Sequence, residues 1–431
     1  QGGFSGTIVP SASVLAQGAG FHVEVTPLEP WVISGSQPLT REFTVSAPSN
    51  AVPGSYVVRV LFTMNGRTVG EVELRLVVRP EGGTADGVLT DIELGAYHGL
   101  AVAQDGSVWA WGRNHEGQLG LPADGLARSQ PQRVEGLPDG VRATAVAISS
   151  STSYALLENG TVYSWGDSDH GQLGRHAEEG EDHVPGPVAI DGVAIEDFTE
   201  VYAGGYSALA RRADGAVFGW GHNTFGQLST TTEEWFTATP VPGNSLLTGF
   251  DTISMGFRHV MGVGAGRVWA WGTGLSNQLG TGATPHAQPA PQEVGASTPI
   301  ATNVVDVATG NGHTAVALAD GTVWSWGANS LGQLGHHEPG ATPHQAALEL
   351  GGAKVVQVVA GAEFTLALLD DGRVLGWGSN QQKQLGPSTQ ASTHAALEVP
   401  LVGKVVKLWA GQWFAYAQLE DGSVWAWGDA S

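Results

Sequence analysis

The stretch that decides the fold is residues 310–335, which read GNGHTAVALADGTVWSWGANSLGQLG. Its pattern is Gly-x-x-His, then Asp-Gly-x-Val-x-x-Trp-Gly, then Gly-Gln-Leu-Gly, and it recurs with variations seven times after residue 90. The Trp-Gly pairs mark the copies at intervals of 50 to 55 residues, at Trp111, Trp165, Trp220, Trp271, Trp326, Trp377 and Trp427. A fixed period of this length predicts a solenoid, a propeller or another repeat array.

Each copy contains four short runs typical of antiparallel β-strands. Asp320-Gly321 is a tight hairpin turn between two of them, and Trp324 and Trp326 alternate with smaller residues along the second. A third run follows each Gly-Gln-Leu-Gly segment, and a fourth precedes each Gly-x-x-His. Four such strands make a propeller blade, and seven blades close into a ring that removes exposed sheet edges. The sequence therefore predicts an all-β protein in which residues 90–431 form a seven-bladed β-propeller.

The repeat resembles that of the regulator of chromosome condensation repeat family. The shared signature is long, and the resemblance covers about 340 of the 431 residues. It implies the seven-bladed fold. Members of the family include a nuclear exchange factor for a small GTPase, secreted bacterial inhibitors of β-lactamase, and many bacterial surface proteins, so the resemblance implies no single function.

Residues 1–80 are a separate β-rich segment. Residues 54–64 and 67–78 alternate in period two around Asn65-Gly66, which is a strong hairpin signal because both turn residues adopt positive φ. The sequence predicts a small antiparallel β-sandwich over residues 1–80, followed by a linker over residues 81–89. Residues 51–56 resemble a strand approach in bacterial immunoglobulin-like domains.

The charge is strongly acidic and unevenly distributed. The net charge is -22, from 41 acidic and 19 basic residues. Residues 1–80 contain five of each, so the propeller carries the whole surplus. Nucleic-acid binding and anionic membranes both require clustered Lys and Arg, so this charge argues against both partners. No apolar run is long enough to span a membrane. A start at Gln1 suits a mature secreted protein, and a trimmed sequence would look the same. We expect an extracellular or cell-surface protein.

The repeat histidines and aspartates invite a catalytic or metal-binding interpretation. His98, His259 and His313 occupy the Gly-x-x-His position, but other copies have Thr152, Ser207, Phe364 and Phe414 there. A ligand or a catalyst would not be exchanged for Phe, so we predict a packing role. The aspartates occupy hairpin turns, where Asp bonds locally to the backbone. We predict no catalytic residue and no cofactor.

Two further clusters consist of residue types that bind metal ions. An acidic loop in the second copy contains Asp167, Asp169, Glu178, Glu179, Glu181 and Asp182. Its spacing matches no established calcium loop. His336, His337 and His344 lie close together in the fifth copy, without a closed set of zinc ligands. We predict no metal site.

One face of the ring is the predicted partner-binding surface. The turns between the first and second strands of each blade vary, whereas the Asp-Gly hairpins on the opposite face are uniformly short. Aromatic residues and Arg dominate interface hot spots. The candidate residues are Tyr97, Tyr206, Phe257, Arg258, Glu363 and Trp413 on the turns, and Trp235 on the long loop of residues 233–236. The alternative is that these rings pack onto neighbouring blades.

The seventh copy ends after its third strand, at Ser431. Either residues near 84–90 supply the outer strand, or the natural chain continues. The leading hypothesis for function is a non-enzymatic scaffold that binds a protein partner outside the cell or within a larger surface assembly. The alternatives are a guanine-nucleotide exchange factor for a small GTPase, which the acidic charge does not favour, and a glycan-binding or glycan-processing propeller.

Overall fold

The computed structural model describes residues 89–429, except residues 179, 229–233, 242–246, 296–297, 339 and 388–389, and the strands between residues 5 and 78. The chain divides into two units, Gln1–Gly87 and Val88–Ser431. The Asn65-Gly66 turn, most of the predicted linker, Glu179 and Glu233 lie outside the described residues. Among the described residues, no helix is long and apolar enough to cross a membrane.

The first unit contains antiparallel strands. They are β1 (Ser5–Leu15), β2 (Glu24–Val25), β3 (Trp31–Ser34), β4 (Val45–Ser46), β5 (Gly54–Met64) and β6 (Arg67–Val78). Four of them form a sheet in the order β3-β1-β5-β6, and β2 pairs with β4. The strands on either side of Asn65-Gly66 are therefore antiparallel neighbours. The immunoglobulin-like sandwich over residues 1–80 stays a prediction.

The second unit is the predicted seven-bladed propeller. Blade one contains β7 (Leu89–Leu94), β8 (His98–Ala103), β9 (Val108–Gly112) and β10 (Arg128–Arg133). Blade two contains β11 (Ala143–Ile148), β12 (Thr152–Leu157), β13 (Val162–Gly166) and β14 (Gly186–Pro187), followed by the small hairpin of β15 (Ala189–Ile190) and β16 (Val193–Ala194). Blade three contains β17 (Phe198–Gly204), β18 (Ser207–Arg212), β19 (Val217–Gly221) and β20 (Trp235–Pro240). In each sheet the strands are ordered by sequence, and the first strand faces a central channel.

The remaining blades follow the same order. Blade four contains β21 (Thr252–Met255), β22 (His259–Gly264), β23 (Arg267–Gly272) and β24 (Gln288–Glu293), and blade five contains β25 (Val304–Thr309), β26 (His313–Leu318), β27 (Val323–Gly327) and β28 (His344–Gln345). Blade six contains β29 (Val355–Ala360), β30 (Phe364–Leu369), β31 (Val374–Ser379) and β32 (Ser392–Glu398). Blade seven contains β33 (Val405–Ala410), β34 (Phe414–Leu419) and β35 (Val424–Gly428). Short 3-10 turns are formed by Leu247–Gly249 and Pro299–Ala301. Blade seven thus has three strands among the described residues, where a complete blade has four.

The hairpin aspartates have the local role predicted for them. In blade five, Asp320 accepts hydrogen bonds from the backbone N–H and the hydroxyl of Thr322, at 2.9 and 2.7 Å. Asn159 makes the same pair of bonds to Thr161 in blade two. These bonds lower the pKa of Asp320, and they explain the residue type without catalysis.

The glycine of every Trp-Gly pair is required by a close backbone approach. All seven have positive φ, for example +106° at Gly327. A Cβ on Gly327 would lie under 3.0 Å from the carbonyl oxygen of Gly312, in the turn between β25 and β26. Glycine alone combines this conformation with this contact.

The tryptophans of the Trp-Gly pairs join neighbouring blades. Trp165, Trp220, Trp271, Trp326 and Trp377 are fully buried, and Trp111 and Trp427 are half-buried. The Trp326 indole donates a hydrogen bond of 2.9 Å to the carbonyl oxygen of Gln278, in the Asn-Gln-Leu-Gly segment of the preceding blade. The same bond is made by Trp165, Trp271, Trp377 and Trp427 to the glutamine of the blade before each.

The Gly-x-x-His histidines complete this junction. His313 Nε2 lies 3.0 Å from the hydroxyl of Thr365 in the next blade, and that hydroxyl donates to the carbonyl oxygen of Gln333. His98 and His259 have equivalent hydroxyl partners in Ser153 and Thr314. Because each hydroxyl proton is directed to a carbonyl, the histidine must donate from Nε2. The predicted packing role of these histidines is confirmed.

Burial lowers the pKa of these three histidines, to about 3 at His98 and His259 and about 4 at His313. Their Nδ1 atoms have no hydrogen-bond partner among the described residues. A proton on Nδ1 would therefore place an unpaired charged donor in the core, which is costly.

We expect Gly327→Ala to destabilise the propeller more than Gly192→Ala. Both glycines have positive φ, so alanine pays roughly 1–2 kcal/mol for its conformation at either position. A Cβ at position 192 meets nothing within 4 Å, whereas at position 327 it meets the Gly312 carbonyl. Thermal melts of the two variants measure the difference in stability. Equal losses of stability would show that the Gly312 carbonyl oxygen does not exclude a Cβ at position 327.

We expect His313→Phe to reduce the loss of stability in acid. The unfolded histidine has a pKa near 6.5 and the folded one about 4, so only the unfolded state gains a proton between these values. Stability should therefore fall by about 1.4 kcal/mol per pH unit as the pH decreases from about 6 to about 4.5, and the variant should lack this contribution. Urea unfolding at several pH values measures the slopes. The exposed His115, replaced in the same way, controls for the loss of an imidazole, and unchanged slopes in His313→Phe would contradict the prediction.

Candidate functional site

One face of the ring carries residues of variable type on an invariant backbone frame. The third residue of each first turn offers its carbonyl oxygen to the N–H of the residue that follows Trp-Gly, at 2.8 to 3.0 Å in all seven blades. The pairs are Tyr97 with Arg113, Ser151 with Asp167, Tyr206 with His222, Arg258 with Thr273, Gly312 with Ala328, Glu363 with Ser379, and Trp413 with Asp429. Because only backbone atoms make these bonds, the side chains at both positions are free to vary.

A further variable position on the same face is the residue two positions before the glutamine of the repeat. Its backbone N–H donates to the side-chain oxygen of that glutamine at 2.6 to 3.1 Å in blades one to six. The residues are Glu116, His170, Phe225, Ser276, Leu331 and Gln382. We call the surface formed by these positions, three in each of blades one to six and two in blade seven, together with the loop residues that contact them, the presenting face.

Aromatic residues of the presenting face collect over blades two to four. The ring centroids of Tyr206 and Phe257 are 5.5 Å apart, as are those of Tyr206 and His170. His222 continues the series, 5.2 Å from His170 and 5.6 Å from Phe225. The complete group, called here the aromatic patch, is His170, Tyr206, His222, Phe225, Phe257, Arg258 and His286.

Charged groups fix the geometry of the aromatic patch. The exposed Arg258 guanidinium lies 4.8 Å from the ring centroid of Phe225 and 5.1 Å from that of Phe257, within cation–π range. Glu234 accepts a contact of 2.9 Å from His170 Nδ1 and lies 3.9 Å from His222 Nε2. Partial burial lowers the pKa of His222, and the Glu234 carboxylate opposes this shift. The patch thus combines flat aromatic area with one exposed cation, a composition typical of protein interfaces.

The predicted site residues do not all meet. Tyr206, Phe257 and Arg258 lie together in the aromatic patch. Tyr97, on blade one, is 40% exposed. The guanidinium carbon of Arg113 lies over the Tyr97 ring, 4.4 Å from the ring centroid. Glu363 and Trp413 are half-buried on the turns of blades six and seven.

Trp235 differs from the expectation of a loop residue on the presenting face. It begins strand β20 and pairs with Gly221. A Cβ on Gly219 would lie 3.4 Å from its ring, and the indole packs half-buried against the core between blades three and four. Packing against the blades accounts for the half-buried position of Trp235, and a contact of this residue with a partner stays a prediction.

Sequence reasoning did not single out His170, His222, Phe225 and His286. The signal was present for the first three, because they occupy variable positions inside an otherwise constant motif. The acidic loop of blade two is engaged in local bonds, such as Ser168 to Asp182 at 2.9 Å. The described residues contain no group of three His, Cys, Asp or Glu side chains placed to hold a metal ion.

The central channel is a cavity of about 410 Å³ lined by the inner strands. Asp91 accepts the N–H of Val146 at 3.0 Å, and Asp306 accepts that of Val358 at 2.8 Å, each on the next blade. Burial raises the pKa of Asp306 to about 6. Lys407 is the one base among the described lining residues. These two acids therefore join neighbouring inner strands.

Sequence comparison relates the chain to known repeats. Two family models, both described as the regulator of chromosome condensation (RCC1) repeat, match the chain. The first matches residues 105–156, 159–211, 265–317 and 320–368. The second matches residues 89–118, 143–172, 198–227, 304–333 and 355–384. The ultraviolet-B receptor UVR8 of Arabidopsis thaliana is 30% identical over 68% of the chain, and protein pim1 of Schizosaccharomyces pombe is 27% identical over 75%. The aligned region spans 66% of the length of each of these relatives.

Two comparisons extend this picture. The probable E3 ubiquitin-protein ligase HERC6 of Homo sapiens is 33% identical over 70% of the chain, which spans only 24% of that protein. Among solved structures, human WBSCR16 superposes with a TM-score of 0.66 at 22% identity, covering 79% of this chain and 87% of that one. Prp20p of Saccharomyces cerevisiae superposes with a TM-score of 0.65 at 20% identity, covering 76% and 81%. These structural likenesses show the fold alone.

Proposed function

Because the chain belongs to the regulator of chromosome condensation (RCC1) repeat family, we propose that it is a non-enzymatic scaffold that binds a protein partner through its presenting face. The observation that carries the proposal is the frame of backbone bonds, which holds variable side chains in fixed positions. A frame that is independent of side-chain type suits recognition, since binding residues can change without a cost in folding.

The aromatic patch is the proposed centre of this interface. Specific complexes bury about 800 Å² per partner, with a few aromatic and Arg residues contributing most of the affinity. The corresponding positions of blade five are occupied by Gly312, Ala328 and Leu331, which offer little for recognition. This asymmetry favours a partner seated over blades two to four, with Tyr97 and Trp413 as further contacts.

We expect Tyr206→Ala and Phe225→Ala to weaken partner binding by about 2 kcal/mol or more, because both remove half-buried aromatic area from the patch. Leu331→Ala is the matched control, since Leu331 has the same N–H bond to its glutamine on blade five. Capture of partners from a surface fraction of the producing cell, followed by titration of the retained protein, measures the effect.

Thermal melts distinguish binding residues from core residues. Trp326→Ala should cost about 3–5 kcal/mol of stability through a core cavity, whereas the two patch variants should melt near the parent protein. Melts of Tyr206→Ala and Phe225→Ala as low as that of Trp326→Ala would identify these rings as core elements. Equal capture by Phe225→Ala and Leu331→Ala would remove the patch from the interface.

A second candidate function is nucleotide exchange on a small GTPase. It is supported by membership of the repeat family, which includes a nuclear exchange factor for a small GTPase. Prp20p, which shares the fold, was described with its binding properties to Gsp1p and histones. Release of a fluorescent GDP analogue from the small GTPases of the producing organism tests it. Acceleration of release by the parent protein would favour exchange over a purely structural scaffold.

We further propose that the protein acts outside the cell or at its surface. The supporting observation is the acidic surplus of the propeller, which keeps a large surface soluble. Protease treatment of intact producing cells tests this location, and complete protection of the protein would contradict it.

A further inference from the structure

The central channel contains one acidic side chain that the fold does not require. Glu93 lines the channel from strand β7, two residues before Gly95. The corresponding residues of the other six blades also line the channel and are neutral. They are Ala147, Tyr202, Ser254, Ala308, Val359 and Trp409. Because six blades take part in the ring without an acid at this level, closure of the ring does not explain Glu93.

Glu93 differs from the two other acids that line the channel. Asp91 and Asp306 each accept a backbone N–H from the next blade, at 3.0 and 2.8 Å. The Glu93 carboxyl has no hydrogen bond to any residue that the structure describes, and protein atoms surround it although water in the channel reaches the side chain. Burial, and to a smaller extent the charge of Asp91, raise the pKa of Glu93 to about 8. An ionised carboxylate at this place therefore lacks a compensating partner.

The one base of the described lining does not supply this compensation. The Lys407 ammonium lies over the Trp409 ring, 4.9 Å from the ring centroid. Its charge lowers the pKa of Glu93, but by less than burial or Asp91 raises it. The described lining contains three acids, Asp91, Glu93 and Asp306, and this single base. Electrostatics therefore favour a further positive charge beside Glu93.

The surroundings of Glu93 favour an organic ammonium group over a metal ion. A hard cation such as Ca²⁺ requires six or more oxygen ligands, whereas the described residues contain no group of three acidic or His side chains placed to hold a metal. The residues at the level of Glu93 on the adjacent blades, Ala147 and Trp409, are apolar and suit an alkyl chain. The cavity of about 410 Å³ has the size of sites that bind small molecules.

We propose that the central channel binds a primary alkylammonium group through an ion pair with the Glu93 carboxylate. The group belongs either to a free amine or to a lysine side chain of another protein, and the two share this chemistry. On binding near neutral pH, the Glu93 carboxylic acid releases its proton to solvent and the ammonium takes the place of that proton, so the net charge of the channel does not change. The ion pair involves no residue of the aromatic patch and is independent of the proposed function.

The ion pair makes binding depend on pH. The titratable residues of the described lining are Asp91, Glu93, Tyr202, Asp306 and Lys407. Of the inner strands beside β7, β33 contributes Lys407 and β11 contributes none of them. An alkylammonium keeps its charge below about pH 10, whereas the pKa of Glu93 is about 8. The affinity should therefore rise by up to tenfold per pH unit between about 6 and 8 and become constant above this range.

Isothermal titration calorimetry of the full chain with n-butylammonium, which has the structure of a lysine side chain, tests the proposal. The matched neutral compound is 1-butanol, which should not bind. Titrations near neutral pH in buffers of different ionisation enthalpy count the protons released, and we expect close to one proton per bound ammonium. The peptide acetyl-Gly-Lys-Gly-amide distinguishes the two sources. Tighter binding of the peptide than of n-butylammonium indicates a lysine of another protein, and the reverse indicates a free amine.

Protein variants locate the binding. Glu93→Gln should weaken binding of n-butylammonium at least tenfold and abolish the release of protons. Glu135→Gln is the matched control and should bind as the parent protein does, because it removes the same charge from an exposed residue beyond the outer strand β10. Thermal melts verify folding. If Glu93→Gln does not fold, Glu93→Ala replaces it, since blades two and five have alanine at this position.

Three results would overturn the proposal. Equal binding by the parent protein and Glu93→Gln would show that the ammonium is attracted by the net negative charge of the propeller. Equal binding of 1-butanol and n-butylammonium, or binding without proton release, would show that no ion pair with Glu93 is formed. Absence of binding by both the amine and the peptide would show that the channel does not accept an alkylammonium.

Discussion

The glutamine of the Gly-Gln-Leu-Gly segment is the residue on which both the ring and its presenting face depend. Its carbonyl oxygen accepts the indole N–H of the next blade, as Gln333 does from Trp377 at 3.0 Å. Its side-chain oxygen accepts the backbone N–H two residues earlier, as Gln333 does from Leu331 at 3.0 Å. A buried polar group must be satisfied by a partner in a specific position. The same residue therefore sets the register between blades and the position of a loop on the presenting face.

This arrangement explains how the repeat tolerates variation. Where the histidine of Gly-x-x-His is absent, other groups fill the junction. In blade two the hydroxyl of Tyr154 donates to the carbonyl oxygen of Gln172 at 2.6 Å, in place of an indole. Phe364 is fully buried at the histidine position of blade six. The junction requires a filled volume and a satisfied carbonyl, and several side chains meet both conditions.

Much of the fold was predictable because the period of the sequence is the period of the structure. Trp326 with Gly327 and Asp320 with Gly321 each specify a local conformation, and seven copies specify a ring. The turn role of the aspartates and the packing role of the histidines followed from comparing copies within one chain.

The site was only partly predictable. The aromatic patch brings together His170 and Glu234, which are 64 residues apart, and such contacts depend on how neighbouring blades are placed. Alternation alone did not place Trp235, because its strand begins at that residue and the side of the sheet it faces depends on the register with β19. The motif shows that the residue two positions before the glutamine varies between copies. The face of the ring on which this residue lies was not predictable, because it depends on the bond between its backbone N–H and the glutamine side chain.

The junction between blades seven and one has a consequence for how the protein is made. Trp111 donates its indole N–H to the hydroxyl of Tyr416 at 2.8 Å, a contact that joins residues 305 positions apart. Ribosomes add roughly 5–20 residues per second, so blade one emerges roughly 15–60 s before the acceptor of its indole is synthesised. During that interval the inner strand of blade one, including Ile92, lacks the cover that Trp409 provides in the finished ring. Until blade seven is synthesised, the nascent propeller is thus an open arc whose first blade exposes apolar surface. The last blade covers this surface and so prevents incorrect association.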